Sequence, residues 1–280
     1  MSLKVLSLNV NNDRRLERPG LIKEAFPQYS FAQRVKPLKE LIKKCDADIS
    51  ILFELSSFGA KLIGPHPTYP YNLSQNSFRF MIITDLNIKV TSHPLTQNDL
   101  YHQGSWETRK GDEYFENVLG DSFEKTLLQI SYNDINIYVT HLGLGQETRL
   151  KQSQKIMSLV KGDYVLCGDF NSFENGTSKT YMPQIKILNE GNEWLTQNFR
   201  CTFRGFPYDL GYLMNEQEKT DFAKVNDAFS FRVFCVRMLR KYGCEGGALD
   251  HVFIKGLTGH VENVITCDSD HSLLLTTINL

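Results

Sequence analysis

The chain has 280 residues, of which 41% are hydrophobic and 22% charged, and its formal net charge is −1. This is the composition of a folded globular protein with a core large enough to need no covalent staples, and it excludes disordered and fibrous classes. It also excludes a whole-protein basic field that would attract nucleic acid without selection.

The six cysteines include no Cys-x-x-Cys pair, so zinc-ribbon and thioredoxin-type readings fail. Free thiols and a cytoplasmic location are expected, although a removed leader would point to secretion instead. No apolar stretch reaches the ~18 residues of a membrane span, and the apolar run after Lys4 is too short for a leader core. A single domain over residues 1–280, acting as a monomer, is the expectation.

In chain order, short apolar runs read as strands at 3–10, 48–55, 79–84, 88–91, 125–131, 135–140, 164–168, 249–254, 260–266 and 273–278. Residues 85–87 look like the turn of one hairpin and residues 132–134 the turn of another. Helical spacing marks 31–45, with Pro37 as a defect, and 147–160, stopped by Gly162. A third helix is expected at about 223–242, and 95–123 reads as a long loop. Many short strands with few helices predict two packed, largely antiparallel sheets.

Polar side chains gather where the apolar runs stop. Strands end in Asn9 and Asn11, Glu54, His141, Asp169 and Asn171, and near Asp250 and His251; Asp270 and His271 precede the last strand. Each has a local explanation. The asparagines can cap turns, Glu54 can be solvated, and His141 can be a satisfied core histidine. Together they are too many for turns alone. Carboxylate and amide oxygens suit a hard cation such as Mg²⁺ or Mn²⁺, and Asp–His pairs suit acid–base work on a phosphate ester.

At these residues the chain resembles the endonuclease/exonuclease/phosphatase superfamily. The segments are Leu6-Ser7-Leu8-Asn9-Val10-Asn11, Asp48-Ile49-Ser50-Ile51-Leu52-Phe53-Glu54, Val139-Thr140-His141-Leu142, Gly168-Asp169-Phe170-Asn171, Leu249-Asp250-His251-Val252-Phe253 and Ser269-Asp270-His271. They fall in the family's order along the whole chain. The superfamily holds pancreatic-type deoxyribonucleases, abasic-site endonucleases, neutral sphingomyelinases, inositol-polyphosphate 5-phosphatases and deadenylases. The resemblance implies a four-layer α/β/β/α sandwich and hydrolysis of a phosphate ester with Mg²⁺, for which Mn²⁺ can substitute. It implies Glu54, Asn9 and Asp270 around the metal, and Asp169 positioning or deprotonating the attacking water. Asn171 would hold a phosphate oxygen, and His271, oriented by Asp250, would contact the scissile phosphate. His141 would stabilise the phosphate or protonate the leaving oxygen. The base is either Asp169 or the His271–Asp250 pair. Some members carry an acid where Asn11 stands, which argues against a second acid-lined metal site here.

Substrate is less legible. Arg149 opens a predicted helix and either reaches a substrate phosphate or is a solvated helix start. Arg232 and Arg237 belong to a basic, aromatic segment, 223–244, that either binds nucleic acid or phospholipid or is a helix with a solvated basic face. A phosphodiester is the leading expectation and a phosphomonoester such as an inositol phosphate the alternative. A silent binding module on the same fold, or an unrelated sandwich with chance motifs, are the remaining readings.

Overall fold

A computed structural model describes residues 2–10, 31–55, 63, 79–95, 125–143, 146–172, 183–197, 217, 249–265 and 271–280. The first strand, β1 (Ser2–Asn9), leads through helix α1 (Phe31–Cys45) to β2 (Ile49–Leu55). Then come β3 (Arg79–Ile83), β4 (Lys89–Pro94), β5 (Thr126–Tyr132) and β6 (Ile135–His141). Helix α2 (Gln146–Leu159), β7 (Tyr164–Asp169), α3 (Pro183–Asn189) and β8 (Glu193–Trp194) follow. The chain then forms β9 (Asp250–Lys255), β10 (Thr258–Ile265) and β11 (Leu273–Asn279).

These strands form two sheets, in the orders β10-β11-β1-β2-β3 and β4-β5-β6-β7-β9-β8. Most neighbours are antiparallel, but β1 and β2 run parallel, as do β6 and β7. Each parallel pair is joined by a helix, because parallel neighbours need a crossover rather than a tight turn. Strands β2 and β7 are buried along their whole length, which is why they read as unbroken apolar runs rather than alternating ones.

Three apolar clusters define the layers. Leu3, Val5, Ile49, Ile51 and Phe53 of the first sheet meet Leu128, Ile137, Val139, Val165, Cys167, Val252 and Ile254 of the second. On the outer face of the first sheet, Leu6, Leu8 and Leu52 pack against Val35 and Leu38 of α1. On the outer face of the second, Tyr138, Leu166 and Phe253 pack against Ile156 of α2 and Ile185 and Leu188 of α3. The result is the α/β/β/α sandwich, and each fully buried aliphatic side chain in it contributes about 1.5–3 kcal/mol. Pro37 lies inside α1, where the docking of Val35 and Leu38 on the sheet offsets the hydrogen bond it removes.

One expectation needs correction, and two short elements add to the expected set. Residues 79–84 and 88–91 do not form a hairpin: β3 pairs with β2 in one sheet, and β4 pairs with β5 in the other. Thr84 Oγ1 donates to the Asp48 carbonyl at 2.7 Å and accepts from Leu86 N–H at 3.1 Å, ending β3 there. Leu86 and Ile88 then pack into the inter-sheet core, so the chain crosses between layers instead of turning back. Strand β8 and helix α3 were not foreseen, because two and seven residues are too few to show a period. The 125–131/135–140 hairpin is present as β5–β6.

The helix expected at 223–242 lies outside the described residues, and so does all of the 95–123 segment except Leu95. Among the described residues no helix is long and apolar enough to cross a membrane. Cys45 and Cys167 are free and buried, and burial pushes the Cys167 thiol up to about 12.

Candidate active site

The inner faces of the two sheets run out of apolar side chains at one end, and the site begins there. Alternate residues of a strand share a face. On β1 that face carries Leu3 and Val5 and ends in Asn9; on β6 it carries Ile137 and Val139 and ends in His141. On β7 it carries Val165 and Cys167 and ends in Asp169, and on β9 it starts at Asp250 before Val252 and Ile254. The period that builds the core therefore also delivers these four polar groups to one place.

Glu54 reaches it by a different device. A bulge interrupts the β2–β3 register between Leu52 and Leu55, and Glu54 sits at φ 59°. A left-handed backbone costs a residue with a Cβ roughly 1–2 kcal/mol; the bulge re-aims a side chain that would otherwise follow the strand alternation. Asn171 is likewise left-handed, at φ 47°, which an asparagine tolerates. Gly168 is required where it stands: at φ 139°, a Cβ would lie 1.9 Å from the Thr140 carbonyl oxygen of β6. The glycine lets β7 run tight against β6 and so fixes where Asp169 emerges.

The side chains form a continuous buried network. Asn9 Nδ2 donates to Asp169 Oδ2 at 3.0 Å, and the Asn171 backbone N–H donates to Asp169 Oδ1 at 2.8 Å. Both oxygens of that carboxylate are thereby held. His271 Nδ1 lies 2.8 Å from Asp250 Oδ2. An ionised Asp250 accepts there, so the neutral imidazole carries its proton on Nδ1 and presents the Nε2 lone pair to Asn9 Nδ2, 3.4 Å away. The same Nε2 is 3.6 Å from Asp169 Oδ2. His141 Nε2 lies 3.4 Å from Glu54 Oε1 and 3.7 Å from Asp169 Oδ2. Burial, the largest influence, together with the nearby Asp250 and Glu54 carboxylates, raises Asp169 from 3.8 to about 7, against the lowering pull of His271 and the Asn171 N–H.

Two groups of side chains have ligand atoms close enough to share a metal ion: Glu54, His141 and Asp169, and Asp169, Asp250 and His271, with all atoms in each group within 4.8 Å of one another. The oxygen-rich donor set fits a hard divalent cation. A carboxylate with its proton affinity raised by burial and, further, by two neighbouring carboxylates is also an environment that a cation would relieve.

Of the residues singled out from sequence, Asn9, Glu54, His141, Asp169, Asn171, Asp250 and His271 come together here. Asp270, Arg232, Arg237 and Asn11 lie outside the described residues. Arg149 is fully buried on α2, so it is not a solvated helix start. His251 belongs to the scaffold behind the site. Its Nε2 donates to the Ser172 carbonyl at 2.8 Å and its Nδ1 accepts from Trp194 Nε1 at 3.3 Å. Its ring lies 5.9 Å from that of Phe170 and 5.4 Å from that of Trp194. Sequence reasoning missed Gln152 and Ser153, which are fully buried, Gln152 against Gly143 of the His141 segment; their helical spacing with Ile156 was the available signal.

A two-sheet sandwich with its polar cluster at the end of the inner core defines a class of four-layer α/β/β/α proteins. No family model and no curated protein sequence matches the chain. Solved structures do. An endonuclease/exonuclease/phosphatase family protein from Bacteroides thetaiotaomicron superposes with a TM-score of 0.59 at 12% identity, covering 100% of this chain and 99% of its own. The mannosyl-6-phosphatase of the same organism gives 0.60 at 13%, covering 99% and 100%. D. rerio TDP2 complexed with a single-strand DNA product gives 0.56 at 12%, covering 100% and 99%. The chain has the fold of the endonuclease/exonuclease/phosphatase superfamily.

Proposed function

We propose that the chain is a Mg²⁺-dependent hydrolase of phosphate esters, acting on a phosphodiester of a nucleic acid or a phospholipid as a single-domain, cytoplasmic monomer. The observation that carries this reading is the buried network in which Asn9, Asp169, His271 and Asp250 are joined side chain to side chain, with Glu54 and His141 beside it. Among superposing structures, one is called a mannosyl-6-phosphatase and another was solved with a single-strand DNA product, which supports phosphate-ester chemistry in general.

Glu54, with Asn9 and Asp270, would hold the cation, and Mn²⁺ would serve in its place. When bound, the ion supplies charge neutralisation at the phosphate's nonbridging oxygens. The rest falls to the chain's own groups. Asp169 is the base: both of its oxygens are oriented by hydrogen bonds, and burial raises its proton affinity above that of an ordinary carboxylate. The Asp250 carboxylate fixes the His271 tautomer; His271, once Nε2 is also protonated, and Asn171 donate to phosphate oxygens. His141 stabilises the phosphate or gives a proton to the leaving oxygen. Arg232 and Arg237 are assigned to substrate recognition and the fully buried Arg149 to its support, and residues 95–123 and 223–244 to substrate choice.

The test is hydrolysis of bis(p-nitrophenyl) phosphate and p-nitrophenyl phosphate, followed by abasic-site DNA, single-stranded RNA, sphingomyelin and inositol phosphates. Turnover should need Mg²⁺, vanish in EDTA and return on adding Mg²⁺, with diesters preferred. Preference for the monoesters would make the chain a phosphomonoesterase. Full turnover in chelator, or none on any substrate, would overturn the assignment.

A further inference from the structure

Helix α2 turns a polar face into the protein. Residues 149, 152, 153 and 156 recur at the spacing by which a helix addresses a core, and all four are fully buried. Only Ile156 is apolar; the others are Arg149, Gln152 and Ser153. Burying polar groups is costly unless hydrogen bonds replace water, so this face needs a reason.

Gln152 supplies one. Its Oε1 accepts the backbone N–H of Gly143 at 3.0 Å, in a buried setting. Gly143 stands two residues after His141, and the backbone between them is held twice more. Leu142 N–H donates to the Asp169 carbonyl at 2.9 Å, and the Leu142 carbonyl accepts from Asn171 Nδ2 at 2.8 Å. Three consecutive backbone groups after His141 are thus fixed, two by the Asp169–Asn171 turn and one from α2. Gln152 Nε2, by contrast, makes no hydrogen bond with the described residues.

We propose that Gln152 is a positioning residue that locks the 141–143 segment from behind, keeping His141 in place beside Glu54 and Asp169. The inference deepens the phosphoesterase reading, and its activity arm rests on that reading. The one-sided use of the amide makes it separable from simple packing. Gln152→Glu, held protonated by burial, keeps a carbonyl acceptor at Oε1 and loses no hydrogen bond, whereas Gln152→Met has similar bulk and no comparable acceptor. Gln152→Asn retracts the acceptor by one methylene.

Two measurements on the full chain test it: steady-state hydrolysis of bis(p-nitrophenyl) phosphate with Mg²⁺, and hydrogen exchange at the Gly143 amide. In Gln152→Met, kcat should fall about 10- to 100-fold with KM within about twofold, as for a small displacement of a reacting group. Exchange at Gly143 should quicken at least about tenfold, since its amide loses its acceptor. Gln152→Glu should stay within about threefold of the parent in both, and Gln152→Asn should fall between. The Asn variant carries the test if the Met variant does not fold. A Glu variant as impaired as the Met variant, or Gly143 exchange unchanged in Met and Asn, would overturn the proposal. A parent inactive on every phosphate ester would sink the phosphoesterase reading instead, and Gly143 exchange would then decide the role of Gln152 by itself.

Discussion

The two sheets are built on one plan and bring different chemistry. Each has a parallel strand pair joined by a helix, β1–α1–β2 in one and β6–α2–β7 in the other. In both, the pair ends in an uncharged or imidazole group and then a carboxylate: Asn9 and Glu54 from the first, His141 and Asp169 from the second. A neighbouring antiparallel strand adds one more group, His271 beside β11 and Asp250 on β9. The short contacts then run mainly across the sandwich: Asn9 to Asp169, Glu54 to His141, and His271 to Asp250. Neither sheet carries the arrangement alone. The inter-sheet core that closes the sandwich also assembles the site.

The largest effects should come from breaking one partner of a cross-sheet pair. Replacing His141, Asp169 or His271 with Ala should lower kcat by about two to four orders of magnitude, typical of lost acid–base or charge-stabilising groups. Steady-state kinetics of single and double variants check this. Within a cross-sheet pair, the double variant should be little worse than the worse single, because the groups act as a unit. A His271→Ala enzyme with near-parental kcat would separate the sheets' roles and break the comparison.

The next effect is on the framework of the second sheet. Gly168→Ala would drive a Cβ against the Thr140 carbonyl and should cost about 3 kcal/mol of stability, a large value for a single methyl. Urea unfolding measures it, and a cost below about 1 kcal/mol would show that β6 and β7 separate easily.

A smaller and more pointed test compares neighbours on β5. Leu127 and Leu128 are both fully buried, the first in the outer cluster under α2 and the second in the inter-sheet core. Truncating either to Ala should cost about 2–5 kcal/mol. At a temperature where both remain folded, Leu128→Ala should lose about tenfold in kcat through misplaced groups, and Leu127→Ala should stay near the parent. Equal activity losses would deny the inter-sheet core its special link to the site.

The smallest effect is a slope. The folded protein holds a proton on Asp169 up to about pH 7, whereas an unperturbed carboxyl releases it near 3.8. That contribution to stability is complete below about pH 4 and is lost as pH rises towards 7. The thermal midpoint of the metal-free protein should therefore fall over that interval, and the fall should be shallower in Asp169→Asn. Mg²⁺ should raise the midpoint more at pH 8 than at pH 5. An identical slope in parent and variant would remove Asp169 as its source.

Much of this was legible because buried strands announce themselves. Runs such as Ile49-Ser50-Ile51-Leu52-Phe53 and Tyr164-Val165-Leu166-Cys167 have no solvent face to dilute them, and the polar residue at the end of each stands out. The gathering of Asn9, Glu54, His141, Asp169, Asn171, Asp250 and His271 followed from that signal. The path of β3 into β4 did not, since crossing between sheets depends on where Leu86 and Ile88 pack, a tertiary fact that no local period encodes. Gln152 was hidden because a polar residue on a helix reads as solvated until the layer it faces is known. His251 was grouped with the polar strand ends although the strand alternation turns it outward, away from Asp250.

The order of the first sheet has a further consequence, for synthesis on the ribosome. Strand β11 lies between β10 and β1, pairing Ser2 with Asn279. An interior place in the sheet is thus reserved for a segment made some 270 residues after its partner. Until residues 273–279 emerge, β1 has one edge open, and an open edge is prone to wrong partners. Pairing over such a distance is slow to form. A nascent chain should complete β6–α2–β7 early and wait for the segment before β11 to supply His271, so that the polar cluster is completed in one late step.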